Sequence, residues 1–323
     1  MRARGESKLR IAVLDLGSTS FHLLVADATP LGEIERITRR RVMLRLGATI
    51  SEHGRIPKSV RARAVETALE LQRLAVELGA EQFLPVGTAA LRDADNGADV
   101  ASRMGRKLGV PVRILSGEEE ARLTLAAFRH RVPFGDSTAL GMDLGGGSLE
   151  LAIGDSFGVS WETTLRLGVT RLHNELVHSD PMRGRERKVI RRTVREALAP
   201  HLGDLAGQRA RYAIACGGTL RALARIVAAD GIDPDSALGS AFRMPRRTLR
   251  KLSEHLAASR HDERLRMRGM KRERADLLPT GAVILETLVD ELRLEGLTVC
   301  DWGLREGAIL EALGLAESGT SIR

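Results

Sequence analysis

Short apolar runs and amphipathic segments alternate along the whole chain. The runs 9–14 and 212–216 have the length and composition of buried strands. Between 60 and 78, apolar residues instead recur at the spacing of a helix that buries one face. This alternation of strands and helices predicts an α/β protein.

The same two periodicities predict the other elements. Strands are predicted at 9–14, 21–27, 34–46, 83–86, 112–115, 139–142, 149–153, 160–165, 212–216 and 298–301. Helices are predicted at 60–78, 98–108, from 117 onward, 170–177, 181–198, 220–229, 280–292 and 304–313. Pro133 and Gly135 fall between the two halves of the chain, so 129–136 is predicted to be a linker.

One glycine turn between two predicted strands carries candidate chemistry. It follows Asp143 and consists of Gly145, Gly146, Gly147 and Ser148, with Glu150 just beyond it. Consecutive glycines let backbone N–H groups converge on an anion such as phosphate. Because a bare carboxylate at Asp143 would repel phosphate, either a divalent cation lies between them or Asp143 positions a water molecule. The turn is therefore a candidate catalytic site.

This turn occurs a second time near the start of the chain. Asp15, Leu16, Gly17, Ser18, Thr19 and Ser20 align with the segment 143–148. At nearly the same shift, Thr88 to Arg92 aligns with Gly217 to Arg221. Two motifs that repeat in the same order predict a duplicated domain. Gly217, Gly218 and Thr219 also precede a helix, whose N-terminus is another candidate anion site.

Three glutamates follow Ser116, a candidate N-cap. Glutamates in a first helical turn complement the helix dipole, and this ordinary role accounts for two of them. Glu120 is different because Leu123, Thr124 and Ala127 follow it at helical spacing, which places it on the inward face. Glu120 is therefore the candidate base that activates water.

Composition and charge narrow the class of partner. The chain has 323 residues, 43% of them apolar, with a net charge of +8 and a pI near 10.2, so we expect two domains and an acidic partner. Aromatic residues make up only 3%, which disfavours a nucleic-acid stacking platform. Cys216 and Cys300 lie in apolar runs and indicate buried thiols in a reducing compartment. No signal or membrane-spanning run is found, which predicts a cytoplasmic protein with no membrane partner.

The predicted helix 181–198 is strongly basic between Arg183 and Arg195. Such a run is either a solvated face or a track for a polyanion. The sequence leaves both interpretations open.

An ordered set of motifs resembles one enzyme family. The chain is similar to the exopolyphosphatase and guanosine pentaphosphate phosphohydrolase family, within the actin-like, sugar-kinase and Hsp70 superfamily. Each motif alone is weakly specific, but the ordered set is highly specific. The motifs occupy 13–18, 87–96, 116–123, 143–150, 167–172, 217–223 and 302–307.

The resemblance implies a duplicated fold of two ribonuclease-H-like domains that face a central cleft. Domain I would comprise 1–133 plus 303–323, with the last helix crossing back to it, and domain II would comprise 134–302. The implied activity is Mg²⁺-assisted hydrolysis of the terminal phosphoanhydride of inorganic polyphosphate by a homodimer. Glu120 would be the general base and Arg92 would clamp the substrate. Asp143 and Glu150 would hold the metal or orient the water, while the two glycine loops would bind phosphate oxygens.

Two departures from the family pattern bear on substrate. Thr19 stands where the family usually has asparagine, so substrate preference is expected to differ. The chain stops soon after Leu315, whereas longer members carry a further helical domain, so low processivity is expected.

Other functions remain open at this point. The same machinery would hydrolyse the 5′ γ-phosphate of pppGpp or of a nucleoside triphosphate. An ATP-dependent kinase of the same fold and a non-enzymatic sensor of polyphosphate or alarmone are further alternatives. A P-loop enzyme is disfavoured because the chain has no Gly-Lys-Ser/Thr run.

Overall fold

The structure, a computed structural model, describes residues 8–132, 134, 138–206, 212–229 and 242–316. Strands and helices alternate along this part of the chain. The strands are β1 Leu9–Leu16, β2 Ser20–Ala28, β3 Ile34–Met43, β4 Gln82–Gly87, β5 Arg113–Ile114, β6 Ala139–Leu144, β7 Leu149–Gly154, β8 Val159–Leu165, β9 Tyr212–Cys216, β10 Phe242–Pro245 and β11 Gly296–Val299. The α-helices are α1 Leu46–His53, α2 Lys58–Glu77, α3 Ala89–Asp93, α4 Gly97–Leu108, α5 Gly117–Arg131, α6 Val169–Leu176, α7 Gly184–Leu198, α8 Leu202–Ala206, α9 Gly218–Ala228, α10 Arg246–Ala258, α11 His261–Leu265, α12 Leu278–Glu291 and α13 Leu304–Ala312.

The two β-sheets have matching topologies. In the first sheet, β1, β2 and β3 form an antiparallel meander, and β4 and β5 extend it in parallel beyond β1. In the second sheet, β6, β7 and β8 repeat the meander, β9 and β11 repeat the parallel strands, and β10 adds an antiparallel edge. The predicted duplicated α/β fold is confirmed.

Two helices cross between the sheets. α5 follows the first sheet in sequence, but Leu125 and Phe128 pack against Ala152 of the second sheet. α13 follows the second sheet, and its Ile309 packs against Ile11 of the first sheet. A fully buried side chain of this size stabilises the fold by about 1.5–3 kcal/mol. The two halves are thus joined by exchanged helices as well as by the chain itself.

Local sequence signals set several element ends as predicted. α4 ends where Gly109 takes a left-handed φ of 72°, a conformation that favours glycine. Ser116 caps α5, since its Oγ accepts from the Glu119 N–H at 3.1 Å and its own N–H donates to Glu119 Oε2 at 2.7 Å. The predicted helix 98–108 and the predicted cap are confirmed.

Other predictions of element bounds are wrong. The strand predicted at 34–46 ends at Met43, because Arg45 takes a left-handed φ of 54° and α1 begins directly after it. The helix predicted at 181–198 begins only at Gly184, where Glu186 accepts a hydrogen bond from the Arg183 N–H at 2.7 Å. The strand predicted at 112–115 shortens to β5, and α10 was not predicted.

The predicted linker overlaps the end of α5, which continues to Arg131. Residues 133 and 135–137 lie outside the described part of the chain. The division into domains at 133 and 303 therefore stays a prediction. None of the described helices has the length and apolar character needed to cross a lipid bilayer.

Several polar contacts join the half that contains the first sheet to the half that contains the second. Arg45 Nη2 lies 2.8 Å from Asp276 Oδ2, and the Thr19 and Thr170 hydroxyls share a hydrogen bond of 2.7 Å. Ion pairs also join Arg41 to Glu273 and Arg171 to Asp93. These contacts surround the cleft in which the predicted site residues meet.

Candidate active site

The two predicted aspartate-and-glycine turns face each other across one cavity of about 120 Å³. Each turn lies between two antiparallel strands, β1 and β2 in the first half and β6 and β7 in the second. Asp15 and Asp143 are the last residues but one of β1 and β6, so both carboxylates reach the cavity. The predicted residues that line it are Asp15, Gly17, Ser18, Thr19, Glu120, Asp143, Gly145, Gly146, Gly147, Ser148, Glu150, Gly217, Gly218 and Thr219.

The second glycine loop is held by the start of α6. The carbonyls of Gly145 and Gly146 accept hydrogen bonds of 3.0 and 2.9 Å from the N–H groups of Val169 and Thr170. In the part of the chain that the structure describes, the Gly146 and Gly147 N–H groups donate no hydrogen bond. The Gly145 and Gly146 carbonyls are thus occupied by hydrogen bonds from α6, whereas the Gly146 and Gly147 N–H groups remain available to bind an anion.

The loops of the two halves touch, and this requires glycine at one position. A Cβ at Gly146 would lie 2.1 Å from Thr19 Oγ1, well inside van der Waals contact. Gly217, at the start of α9, has a φ of 111°, and a Cβ there would lie 2.6 Å from the Leu144 carbonyl oxygen. Both glycines therefore allow backbone to approach the cavity closely.

Among the three glutamates at the start of α5, only Glu120 is buried. Glu119 completes the capping box, and Glu118 is exposed. The Glu120 carboxylate forms a charge-assisted hydrogen bond with Arg92 Nη1, which also donates to the Leu115 carbonyl at 2.8 Å. α5 thus projects one glutamate from its first turn into the cavity.

Arg92 is the one predicted site residue that does not line the cavity. Its guanidinium lies behind the carboxylates, paired with Glu120 and 4.0 Å from Glu150 Oε1. In this structure it therefore contacts the acidic groups rather than the space for substrate. Its role as a substrate clamp stays a prediction.

Four carboxyl groups share this small space, and burial raises the pKa of each. Burial, opposed by Arg305 and assisted by Asp143, raises the pKa of Asp15 to about 6. Burial and the charge of Asp143 raise the pKa of Glu150 to about 7. Burial, followed by the charge of Glu150, also raises the pKa of Glu120 well above its ordinary value, although Arg92 opposes this. Burial raises the pKa of Asp143, with the Cys216 thiol and Arg221 opposing it. The site gains from a cation or proton among these groups.

The two repeats carry different residues at one matching position. On the second hairpin Glu150 lies directly across from Asp143, and its Oε1 accepts a hydrogen bond of 3.1 Å from the Thr164 hydroxyl. On the first hairpin the partner of Asp15 is His22. Burial and then the charge of Arg305 lower the pKa of His22 well below its ordinary value. At this matching position the second half therefore carries a carboxylic acid, Glu150, and the first half carries a neutral imidazole, His22.

Sequence reasoning assigned no role to three arginines that line the cavity, Arg221, Arg274 and Arg305. Burial, followed by neighbouring arginines, lowers the pKa of both Arg221 and Arg274 to about 10. Arg305 Nη1 donates to His22 Nδ1 at 2.7 Å. The repeat carried a signal for Arg221, since it aligns with Arg92, but Arg274 gave none.

The acidic groups fit a hard divalent cation. In the described residues, no three His, Cys, Asp or Glu side chains converge into a metal site by themselves. Mg²⁺ commonly binds through one or two carboxylates, with water and substrate phosphates as the other ligands. Asp143 and Glu150, paired across one hairpin, provide two such carboxylates.

The fold and the cavity together define a class of protein. Two matching α/β halves close acidic and glycine-rich hairpins around one small cavity, and this is the architecture of an enzyme with an actin-like fold. The model of the Ppx/GppA phosphatase family matches residues 24–316. The chain belongs to the Ppx/GppA phosphatase family.

Relatives of two activities are similar to this chain. Exopolyphosphatase 1 of Mycobacterium tuberculosis H37Rv is 32% identical over 316 residues, covering 97% of this chain and 91% of that protein. A guanosine-5′-triphosphate,3′-diphosphate pyrophosphatase of Vibrio vulnificus is 28% identical, covering 97% of this chain and 61% of that protein. The crystal structure of an exopolyphosphatase from Cytophaga hutchinsonii has a TM-score of 0.86 and 26% identity, covering 94% of this chain and 98% of that one. The predicted family and fold are confirmed.

Proposed function

We propose that this protein is an exopolyphosphatase that releases orthophosphate from the end of inorganic polyphosphate, with Glu120 activating the attacking water. The observation that carries the proposal is the position of Glu120. It is a buried carboxylate, paired with Arg92, on the wall of a cavity bounded by the two glycine loops. The similarity to the exopolyphosphatase of M. tuberculosis favours the same substrate.

In the proposed reaction, the amides of Gly146 and Gly147 and the hydroxyls of Ser18 and Ser148 bind oxygens of the terminal phosphoryl group. Water attacks phosphorus from the side of Glu120, whose carboxylate takes the water proton. The bridging P–O bond breaks, and the shortened polyphosphate leaves with the bridging oxygen. Phosphoryl transfer needs mainly positioning and charge stabilisation, and this cavity provides both.

Asp143 and Glu150 would hold the proposed Mg²⁺. When bound, the ion would neutralise charge on the phosphate oxygens and on the carboxylates around them. The raised pKa values of these acids favour such a cation, because it would offset the burial and repulsion that they experience.

Replacement of Glu120 by glutamine tests the proposal. We expect Glu120→Gln to lower orthophosphate release from polyphosphate by about 10²–10⁴-fold, the usual contribution of a general base. Glu118→Gln is the matched control, since it removes an exposed carboxylate two positions earlier in the same helical turn. Equal activity of the two variants would contradict the assignment of Glu120. No orthophosphate release by the wild-type protein with any divalent metal would reject the exopolyphosphatase function itself.

Hydrolysis of the 5′ γ-phosphate of pppGpp is the second candidate. The Vibrio relative favours it, and the same cavity would receive a terminal phosphoryl group from either substrate. Side-by-side values of kcat/KM on polyphosphate and pppGpp decide between them. The cytoplasmic location and the homodimer stay predictions, which fractionation and analytical ultracentrifugation test.

A further inference from the structure

A second, larger cavity of about 740 Å³ adjoins the site. Ten arginine or lysine side chains line it, and Asp301 is the single carboxylate among its described lining residues. We call this cavity the arginine basin. Four of its cations come from one strand, β3, and are Arg36, Arg39, Arg40 and Arg41.

An irregularity in β3 explains how this strand brings three of these four arginines to one face. Side chains alternate between the faces of a regular strand, so Arg36 would lie opposite Arg39 and Arg41. The pairing with β2 shifts here, since Val25 pairs with Thr38 but Ala26 pairs with Arg36. The extra residue restores Arg36 to the face of Arg39 and Arg41. The bulge therefore brings Arg36, Arg39 and Arg41 to one face of β3. Arg40 alternates with them and belongs to the other face of the strand, but it also lines the basin.

Part of this charge has no carboxylate partner. Arg39 pairs with Glu306, Arg41 with Glu273 and Arg131 with Asp301. By contrast, Arg36 and Arg40 are exposed and form no ion pair with the described residues.

Arg274 adds a buried cation to the same wall. It is only 7% exposed, and its Nε has no hydrogen-bond partner in the described chain. A buried charged donor without a partner is costly unless a ligand completes it. Arg274 therefore points to an anion at the boundary between the two cavities.

The basin continues directly from the site. His22, Gly218, Arg221, Arg274 and Arg305 line both cavities. The inner cavity is the smaller of the two and contains the carboxylates, whereas the outer one is larger and almost wholly cationic. A substrate with one phosphoryl group among the carboxylates has its next negative charges at this boundary.

The basic helix α7 is a weaker candidate for a polyanion track. Arg191 and Arg195 are paired with Glu286 and Glu291 of α12. No residue of α7 is among the described lining of either cavity. Its charge therefore serves in part to attach α7 to α12.

We propose that the arginine basin binds the non-terminal phosphates of a linear polyphosphate whose end lies between the glycine loops, with β3 rather than α7 as the track. This inference rests on the proposed function, because it extends the same substrate outward from the same cavity. It makes Arg36 and Arg40 determinants of preference for long chains. Both are exposed, and neither lines the inner cavity that contains the carboxylates.

The experiment compares two double variants that each remove two exposed positive charges. Arg36→Gln with Arg40→Gln changes the basin, and Arg185→Gln with Lys188→Gln changes α7. For the basin variant we expect KM to rise about ten-fold on long-chain polyphosphate and less than about two-fold on tripolyphosphate, as for loss of two solvent-exposed charge contacts. The slope of log KM against log salt for the long chain should also fall by about 1.5, since each lost phosphate contact accounts for about 0.7–0.9. The α7 variant should match the wild type on both substrates.

The outcomes separate this inference from the proposed function. If the wild type releases no orthophosphate from polyphosphate, the function fails before the basin is tested. If the wild type is active and the basin variant keeps its long-chain KM and salt slope, the basin proposal is overturned. A rise of KM in the α7 variant alone would assign the track to α7 instead. If only pppGpp shows the raised KM in the basin variant, the basin binds the phosphates of an alarmone and the proposal for polyphosphate is rejected.

Discussion

At the scale of single residues, Glu120 is subject to opposing electrostatic influences. Burial and the nearby Glu150 favour its neutral form, whereas the Arg92 guanidinium favours the carboxylate. A base works best when its pKa is close to the working pH, so that it is ionised and still basic. Under the proposed mechanism, Arg92 would therefore act on the reaction through Glu120.

Replacement of Arg92 should move the pH dependence of the reaction. Arg92→Gln removes the positive charge that opposes the raised pKa of Glu120, so this pKa should rise further. We expect the acid limb of the profile of kcat against pH to shift upward by about one unit or more, with partial recovery of kcat at high pH. A uniform loss of kcat at every pH would instead indicate that Arg92 contributes only to structure or to substrate binding.

The sequence predicted some residues of the site better than others. Glu120 was found because residues at helical spacing share one face of a helix. An acid on the same face as apolar residues is therefore expected to be buried. Arg274 was not found, because it belongs to a basic stretch whose members look alike until the fold buries one of them. The pairing of Glu120 with Arg92 also needed three dimensions, since it joins α5 to the end of α3.

At the scale of elements, the two glycine hairpins both line the cavity and connect the two halves of the molecule. Each loop presents backbone to the cavity, and the two loops also contact each other where Gly146 meets Thr19. The Thr19 hydroxyl is hydrogen-bonded to Thr170 at the start of α6, so the first loop is attached to the second half. Thr19 thus has a definite hydrogen-bond partner in this structure.

A methyl group at Gly146 should hold the loops apart. Its Cβ would lie 2.1 Å from Thr19 Oγ1, so we expect Gly146→Ala to lower kcat/KM by about 10²-fold, as for a displacement of about 1 Å at a reacting centre. Thr19→Ala removes the clashing hydroxyl, and the double variant should recover part of the loss. A double-mutant cycle on kcat/KM measures this coupling. Strictly additive effects would show that the two loops do not act through this contact.

Strands and helices were predicted correctly where the spacing of apolar residues and the capping or turn residues indicated the same element. The strands that flank both hairpins and the capped start of α5 follow directly from local patterns. The end of β3 was misplaced, because Arg45 in a left-handed conformation carries no sequence mark of the kind that glycine gives. α10 was missed because its basic residues obscured the apolar stripe that Leu249 and Leu256 form.

At the scale of the whole molecule, the acidic cluster opposes folding at neutral pH. The pKa of Glu150 is raised from 4.5 to about 7, so the folded protein retains a proton that the unfolded chain releases. The stability from this group is therefore fully present below pH 4.5 and is lost as the pH rises through about 7. A site that needs these carboxylates reduces the stability of the protein that carries them.

Replacement of Glu150 should stabilise the protein while it lowers activity. Glu150→Gln removes the ionisation, and we expect Tm without metal or substrate to rise by about 3–6 °C at pH 8. The difference from the wild type should vanish below pH 4.5, where both side chains are neutral. Calorimetry across this pH range, in the presence of a chelator, measures the effect. Glu70→Gln, on an exposed position of α2, is the control and should leave Tm within about 1 °C of the wild type at every pH.

The exchange of α5 and α13 has a consequence for biosynthesis. The ribosome makes β1 first, yet Ile11 and Val13 are covered by α13, which follows every other described element. A nascent chain therefore carries an uncovered apolar face until translation has passed residue 312. A premature stop before Leu304 would leave that face permanently exposed, so the shortened product is expected in the insoluble fraction of a cell lysate, even though it would keep both glycine loops and the four carboxylates of the cavity and lose only Leu304 and Arg305 from the described lining.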